Sequence, residues 1–124
     1  MPIQYVPPVS FTTKRLVLDN EKLRRANAKV TAGTSYNYGD LLVLSDDNLL
    51  THAADESSWD VICGQNVTAA EATIKAADGI EIPVYYGGVF NVEAVSLNGT
   101  LLDKSKYDAV RAKATKNKIE FSKV

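Results

Sequence analysis

Residues 80–97 read IEIPVYYGGVFNVEAVSL, and the reading of this stretch decides the fold. Ile, Val, Tyr and Phe dominate it, which is the composition of a half-buried pleated strand. Gly87-Gly88 interrupts the run near its middle. Both positions accept φ > 0, so the stretch predicts two strands joined by a tight hairpin turn. Pro83 cannot donate to a ladder, which predicts an edge strand or a bulge there and makes Pro83 and Tyr85 a candidate subunit edge. Asn98-Gly99 predicts a second turn directly after it.

Outward from this stretch the pattern stays β-rich. Leu41 to Leu44 reads as a short buried strand, Asp46-Asp47-Asn48 as a turn, and Leu49 to Ala53 as the answering strand. VICGQNVTA (61–69) predicts another strand, with Val61 and Cys63 alternating against Ile62. AAEATIKAADGIE (69–81) is rich in Ala but is cut short by Asp78-Gly79, and predicts a loop with a turn. DKSKYDAVRAKA (103–114) is the one helix expected. Asp103 suits its N-cap, and Tyr107, Val110 and Ala114 share a face at helical spacing. KIEFSKV (118–124) returns as a strand with Ile119 and Phe121 inward. KRLVLDNEKLRRANAKV (14–30) reads either as a hairpin, turning at Asp19–Lys22, or as a short helix from Asn20.

The front end is of another kind. PIQYVPPVSF (2–11) holds three of the four prolines, which fix φ and push the chain toward extended conformations. It is too apolar for an ordinary disordered tail. Ile3, Tyr5, Pro7, Val9 and Phe11 alternate, so an extended chain places them on one side. The expected organisation is an extended arm with a possible β-hairpin over residues 1–27, followed by a β-rich domain over 28–124. The fold class expected is mainly β, a β-rich α+β domain with one late helix.

Composition narrows the function. With 124 residues, 45% apolar and 23% charged, the chain fits one globular domain. No apolar run approaches the ~20 residues of a membrane span, and no membrane contact is expected. No secretory leader pattern opens the sequence. The single cysteine, Cys63, excludes an internal disulfide and a multi-thiolate zinc site, which points to a reducing cytosol. Charge is segregated. Residues 1–30 carry six Lys or Arg against two acids, residues 31–99 carry Lys75 against ten acids, and residues 100–124 carry seven cations against three acids. Basic ends flanking an acidic middle read either as ordinary solvated surface or as a shared face for an acidic partner.

Reactive constellations are not apparent. His52, with Ser57, Ser58 and Asp55 or Asp60 nearby, is read as an ordinary strand histidine, because a triad is defined by geometry. Cys63 reads as a buried inert thiol. Asp46-Asp47-Asn48 lacks the spacing and glycine of a calcium loop. The basic pairs lack interleaved aromatics, so no direct nucleic-acid contact is expected. No enzyme activity, metal or cofactor is expected.

From residue 28 onward, the order of features resembles the head decoration proteins of lambda-like tailed bacteriophages. AKVTAGTSYNYGDLLVLSDDNLLTHA is similar to the opening strand, small-residue turn and paired short strands of that family. WDVICGQNVTA is similar to its central strand. EIPVYYGGVFNVEAVSL is similar to its signature region, an apolar strand with aromatics, a Gly-containing turn, then Phe90-Asn91 and the acidic Glu93, and the last helix and IEF are similar to its close. KRLVLDNEKLRRAN departs from the pattern. The resemblance implies a non-catalytic protein that trimerises and caps three-fold or quasi-three-fold sites of the expanded head. It would strengthen the shell against packaged DNA. It would be made in the bacterial cytoplasm and end on the capsid exterior, with the major capsid protein and its own copies as partners.

On that reading Pro2, Ile3, Tyr5, Val6, Pro7, Pro8, Val9, Phe11, Lys14 and Arg15 form the capsid-binding arm, and Arg24 and Arg25 supply electrostatic contacts. The alternative for Tyr5 and Phe11 is packing back on their own domain or a neighbour. The alternative for the whole chain is a non-catalytic tail or baseplate adaptor.

Overall fold

The computed structural model describes residues 15–116 and 119–122. The expected arm residues 2–14 therefore lie outside the described residues. The chain forms strands β1 (Val17–Lys29), β2 (Leu41–Leu44), β3 (Leu50–His52) and β4 (Val61–Cys63), then helix α1 (Ala69–Asp78). Strands β5 (Glu81–Asn91), β6 (Ser96–Leu97) and β7 (Thr100–Leu101), helix α2 (Tyr107–Lys116) and strand β8 (Ile119–Ser122) follow. The domain is β-rich with a late helix, as the sequence predicts.

Strand β5 organises the main sheet, whose order is β1-β5-β4-β2-β3 with β8 also on β5. Along one side β5 pairs antiparallel with β1, from Val17↔Phe90 to Lys29↔Glu81. On its other side Val84 and Tyr85 pair with β4, and Gly88 to Asn91 pair in parallel with β8. The sheet also curls. The Lys29 N–H donates to the Asn48 carbonyl at 2.9 Å, and Lys29 bridges Leu49, so the end of β1 meets the start of β3.

Alternation along these strands separates two cores. Ala28, Leu42, Leu50, Val61, Cys63, Ile82 and Val84, drawn from all five curled strands, pack together with Tyr36, Val67 and Ala72 of α1. Leu41, Ile62, Tyr85 and Phe90 point the other way, toward Val110 and Ala114 of α2, Ile119 and Phe121 of β8, and Trp59. Strand β4 is thus buried on both faces, which is why it reads VIC with no polar position.

Four expectations are corrected. The Gly87-Gly88 hairpin is absent, because β5 runs straight through the pair. Tyr85 and Phe90 both enter the core of α2, although a regular strand would put residues of that spacing on opposite faces. The glycines absorb this change of phase opposite a bulge in β1. Gly88 has φ 140°, and a Cβ on it would lie 3.2 Å from Phe90 Cε2 and 3.4 Å from Leu23 Cα. Gly88→Ala is therefore expected to cost about 1–3 kcal/mol, read as a lower urea midpoint at unchanged slope.

Residues 14–30 form no hairpin. The turn chemistry at Asp19 exists, since the Glu21 N–H donates to Asp19 Oδ1 at 3.0 Å. It bulges one strand rather than reversing it: Asp19 stands opposite Val89 and Arg24 opposite Gly87. Residues 17–27, expected within the arm, are thereby part of the same sheet as the residues after 28. The stretch expected as a loop from Ala69 is a ten-residue helix. Thr68 and Glu71 close a reciprocal capping box at 3.1 and 2.9 Å, and Gly79 at φ 69° ends the helix.

Finally, Pro83 and Tyr85 do not form an edge. Pro83 lies between β1, opposite Asn27, and the Gly64 N–H, which donates to its carbonyl at 3.0 Å. The nitrogen of a strand residue points to the same side as its carbonyl, so the missing N–H faces Gly64, whose own bond goes unreciprocated just past the end of β4. Tyr85 is 6% exposed and packs on Phe90.

Candidate interaction surface

The open edge of the sheet is the outer side of β1 from Val17 to Ala26, which meets no strand among the described residues. Its sequence and its bulges discourage casual pairing, as expected of an exposed edge. Arg15, Lys22, Arg24 and Arg25 are exposed along it, with Asp19 and Glu21 as the acids. The Arg15 Nε donates to the Val17 carbonyl at 2.9 Å, and Arg24 Nη1 to the Leu23 carbonyl at 3.3 Å. The Arg25 guanidinium sits 5.9 Å from the centre of the Tyr85 ring, a cation–π distance. Tyr38 meets the same ring edge-on at 6.3 Å. Partial burial first, and the Tyr85 hydroxyl second, push the Tyr38 phenol up to about 12.

Beside this edge a groove of about 1090 Å³ opens between the β1 bulge, β5, β8 and α2. Lys22 and Arg24 line one wall and Arg111 of α2 another, with Tyr86 and Gly87-Gly88 between them. The basic front of the chain and its basic close therefore converge, as the charge pattern suggested. Asp108 and Glu120 line the groove too, so its own charge is mixed and the positive excess belongs to β1. Lys22, Tyr86 and Arg111 were not singled out from the sequence. The charge totals pointed to the two segments, and only the fold shows which of their residues meet. Of the expected arm residues, Arg15 alone is described, and it is exposed on the approach to β1.

Away from this face, Cys63 and His52 make contacts within the fold. Cys63 is fully buried, its thiol donates to the Gln65 carbonyl at 3.0 Å, and burial pushes it up to about 11. Thiol reagents at pH 8 are therefore expected to modify Cys63 only as the protein unfolds, so alkylation followed by mass should track the denaturation curve.

His52 Nε2 lies 2.6 Å from the Ser35 carbonyl, so that nitrogen carries the proton, and the ring stacks on Tyr36. Its Nδ1 faces Asp40 Oδ2 at 3.9 Å and has no hydrogen-bond partner among the described residues. Neither Ser57 nor Ser58 is a partner of the ring; Ser57 instead donates its N–H to Asp55 Oδ1 at 2.8 Å. That bond is the leading cause holding the Asp55 carboxyl below its usual range. Among the described residues no group of three His, Cys, Asp or Glu side chains is placed to hold a metal ion. No helix among them is long and apolar enough to cross a membrane.

Comparison with the profiles of known protein families found no match, and comparison with curated proteins found none either.

Proposed function

We propose that this chain is a decoration protein of a tailed-phage head, binding the expanded shell as trimers at three-fold or quasi-three-fold sites. It acts by reinforcement rather than by chemistry. The observation that carries the reading is β1. Among the described residues, a small domain with two well-filled cores leaves one long strand edge open and makes it basic, and the sequence joins that strand to the apolar, proline-rich residues 2–13.

The physics of such a protein is multivalent. An extended segment that adds to a sheet edge on the shell gains main-chain hydrogen bonds, and its alternating side chains set the register. Ile3, Tyr5, Val9 and Phe11 supply those side chains, and Pro7-Pro8 lower the entropy lost on ordering. Three such segments per trimer bind jointly, so modest single contacts give firm capture. Lys14 and Arg15 steer the trimer toward an acidic shell.

The test is co-sedimentation of the purified full chain with empty heads of the phage that encodes it. Binding to expanded heads and not to unexpanded ones is expected, and a protein that pellets with neither defeats the reading. Deleting residues 2–13 is expected to weaken head binding by about a hundredfold or more while the far-UV spectrum stays unchanged. A deletion variant that fails to fold would assign those residues to the core of the domain instead.

A further inference from the structure

The charges that the sequence segregates are also segregated on the folded surface. Lys22, Arg24 and Arg25 are exposed on the open part of β1, and neither the described ion pair Lys106–Glu56 nor the His52–Asp40 approach involves them. Exposed acids lie in several places, and one group of them is a corner where the β2–β3 turn carries exposed Asp46 and Asp47. Asp60 joins that corner, because its carboxylate accepts the Leu44 N–H at 2.9 Å.

Within one copy no described ion pair joins these two patches, and a cation beside the corner is Lys29. The corner meets β1 at Lys29, through Asn48. At about 3.3 Å per residue, Arg25 lies about 13 Å back along the strand and Lys22 further still. That exceeds the screening length of about 8 Å at physiological salt.

We infer that these patches meet between copies: the Lys22–Arg25 stretch of one chain receives the Asp46–Asp47 corner of the next, head to tail. The inference names the contact behind the self-association in the proposed function and rests on that reading. The alternative self-contact, β1 against β1, is isologous and stops at a dimer, which does not make the trimer of the proposed function. A head-to-tail contact avoids this, and when its rotation closes it makes a ring. Tyr86, 47% exposed in the groove beside Lys22 and Arg24, offers the aromatic anchor that such a contact needs at its centre.

The experiment is sedimentation velocity on the full chain at low and high salt, with far-UV spectra to confirm folding. The wild type is expected to run as a trimer at low salt and to dissociate as salt rises. Lys22→Glu with Arg24→Glu, and separately Asp46→Lys with Asp47→Lys, are each expected to weaken association by about a hundredfold or more. The quadruple variant, with both patches reversed, is expected to regain the trimer. A monomeric wild type, double variants that remain trimeric, or a folded quadruple variant that stays monomeric would each overturn the inference. Head binding is scored separately. A trimer that follows this charge rule but ignores expanded heads refutes the decoration reading alone, and head binding by double variants that remain trimeric refutes this contact alone.

Discussion

Asp40→Ala is expected to cost about 3–5 kcal/mol of folding stability, because it removes at once the acceptor of three donors, one of them the buried Ser96 hydroxyl. Asp40 is fully buried just before β2. Its Oδ2 accepts the Asn37 N–H at 2.8 Å, and its Oδ1 accepts the Gly99 N–H at 2.9 Å and the Ser96 hydroxyl. The carboxylate thereby ties the loop that opens β2 to the β6–β7 hairpin, which is remote in sequence. Each orphaned donor costs about 1–3 kcal/mol when no water replaces the lost oxygen. Asp40→Asn keeps the shape but turns an NH2 group toward a donor, so a loss of about 2 kcal/mol is expected. Urea titration of the three proteins, with unchanged slopes, measures both. Equal stability of Asp40→Ala and wild type would show that solvent reaches these donors.

Phe90→Ala is expected to cost a similar 3–5 kcal/mol, by a different cause. Phe90 is fully buried where β1, β5 and β8 lie side by side. Its ring sits 5.6 Å from Tyr85 and 6.2 Å from Phe121. Truncation leaves a void beneath α2 that neither neighbour can fill without leaving its own contacts. Phe90→Leu keeps most of the volume and is expected to cost less than about 1.5 kcal/mol. Hydrogen exchange should show the Phe90→Ala loss concentrated in β8, which pairs only with β5. Either loss is a large share of the ~5–15 kcal/mol by which a domain of this kind is stable.

Elements governed by neighbours in sequence were legible. Asp103 caps the turn that opens α2, its carboxyl lowered by the Ser105 hydroxyl and N–H. Asn98 and Gly99 both take positive φ and turn β6 into β7. Ile119 and Phe121 alternate inward around exposed Glu120. The Ala69–Asp78 helix was legible as well, because Thr68-x-x-Glu71 and Gly79 are its start and stop signals. Reading Asp78-Gly79 as an early break gave the C-cap too much weight.

Other features depended on distant partners. Gly87-Gly88 carries the composition of a turn, yet the glycines answer the Phe90 ring and the backbone of Leu23. Pro83 announces a missing donor but not that β4 ends beside it. Asp19 forms the local turn its type favours, and pairing of both flanks with β5 decides that the strand continues. The candidate surface divides in the same way. Segregated charge is a property of the sequence, whereas the meeting of Lys22 and Arg24 with Arg111 is a property of the fold.

The central claim, that this domain caps the shell of a phage head, is tested most directly by electron cryo-microscopy of expanded empty heads incubated with the full chain. The account predicts added density the size of three copies over three-fold or quasi-three-fold sites. Bare three-fold sites at saturating concentrations of folded protein, or density confined to the tail vertex, would contradict it.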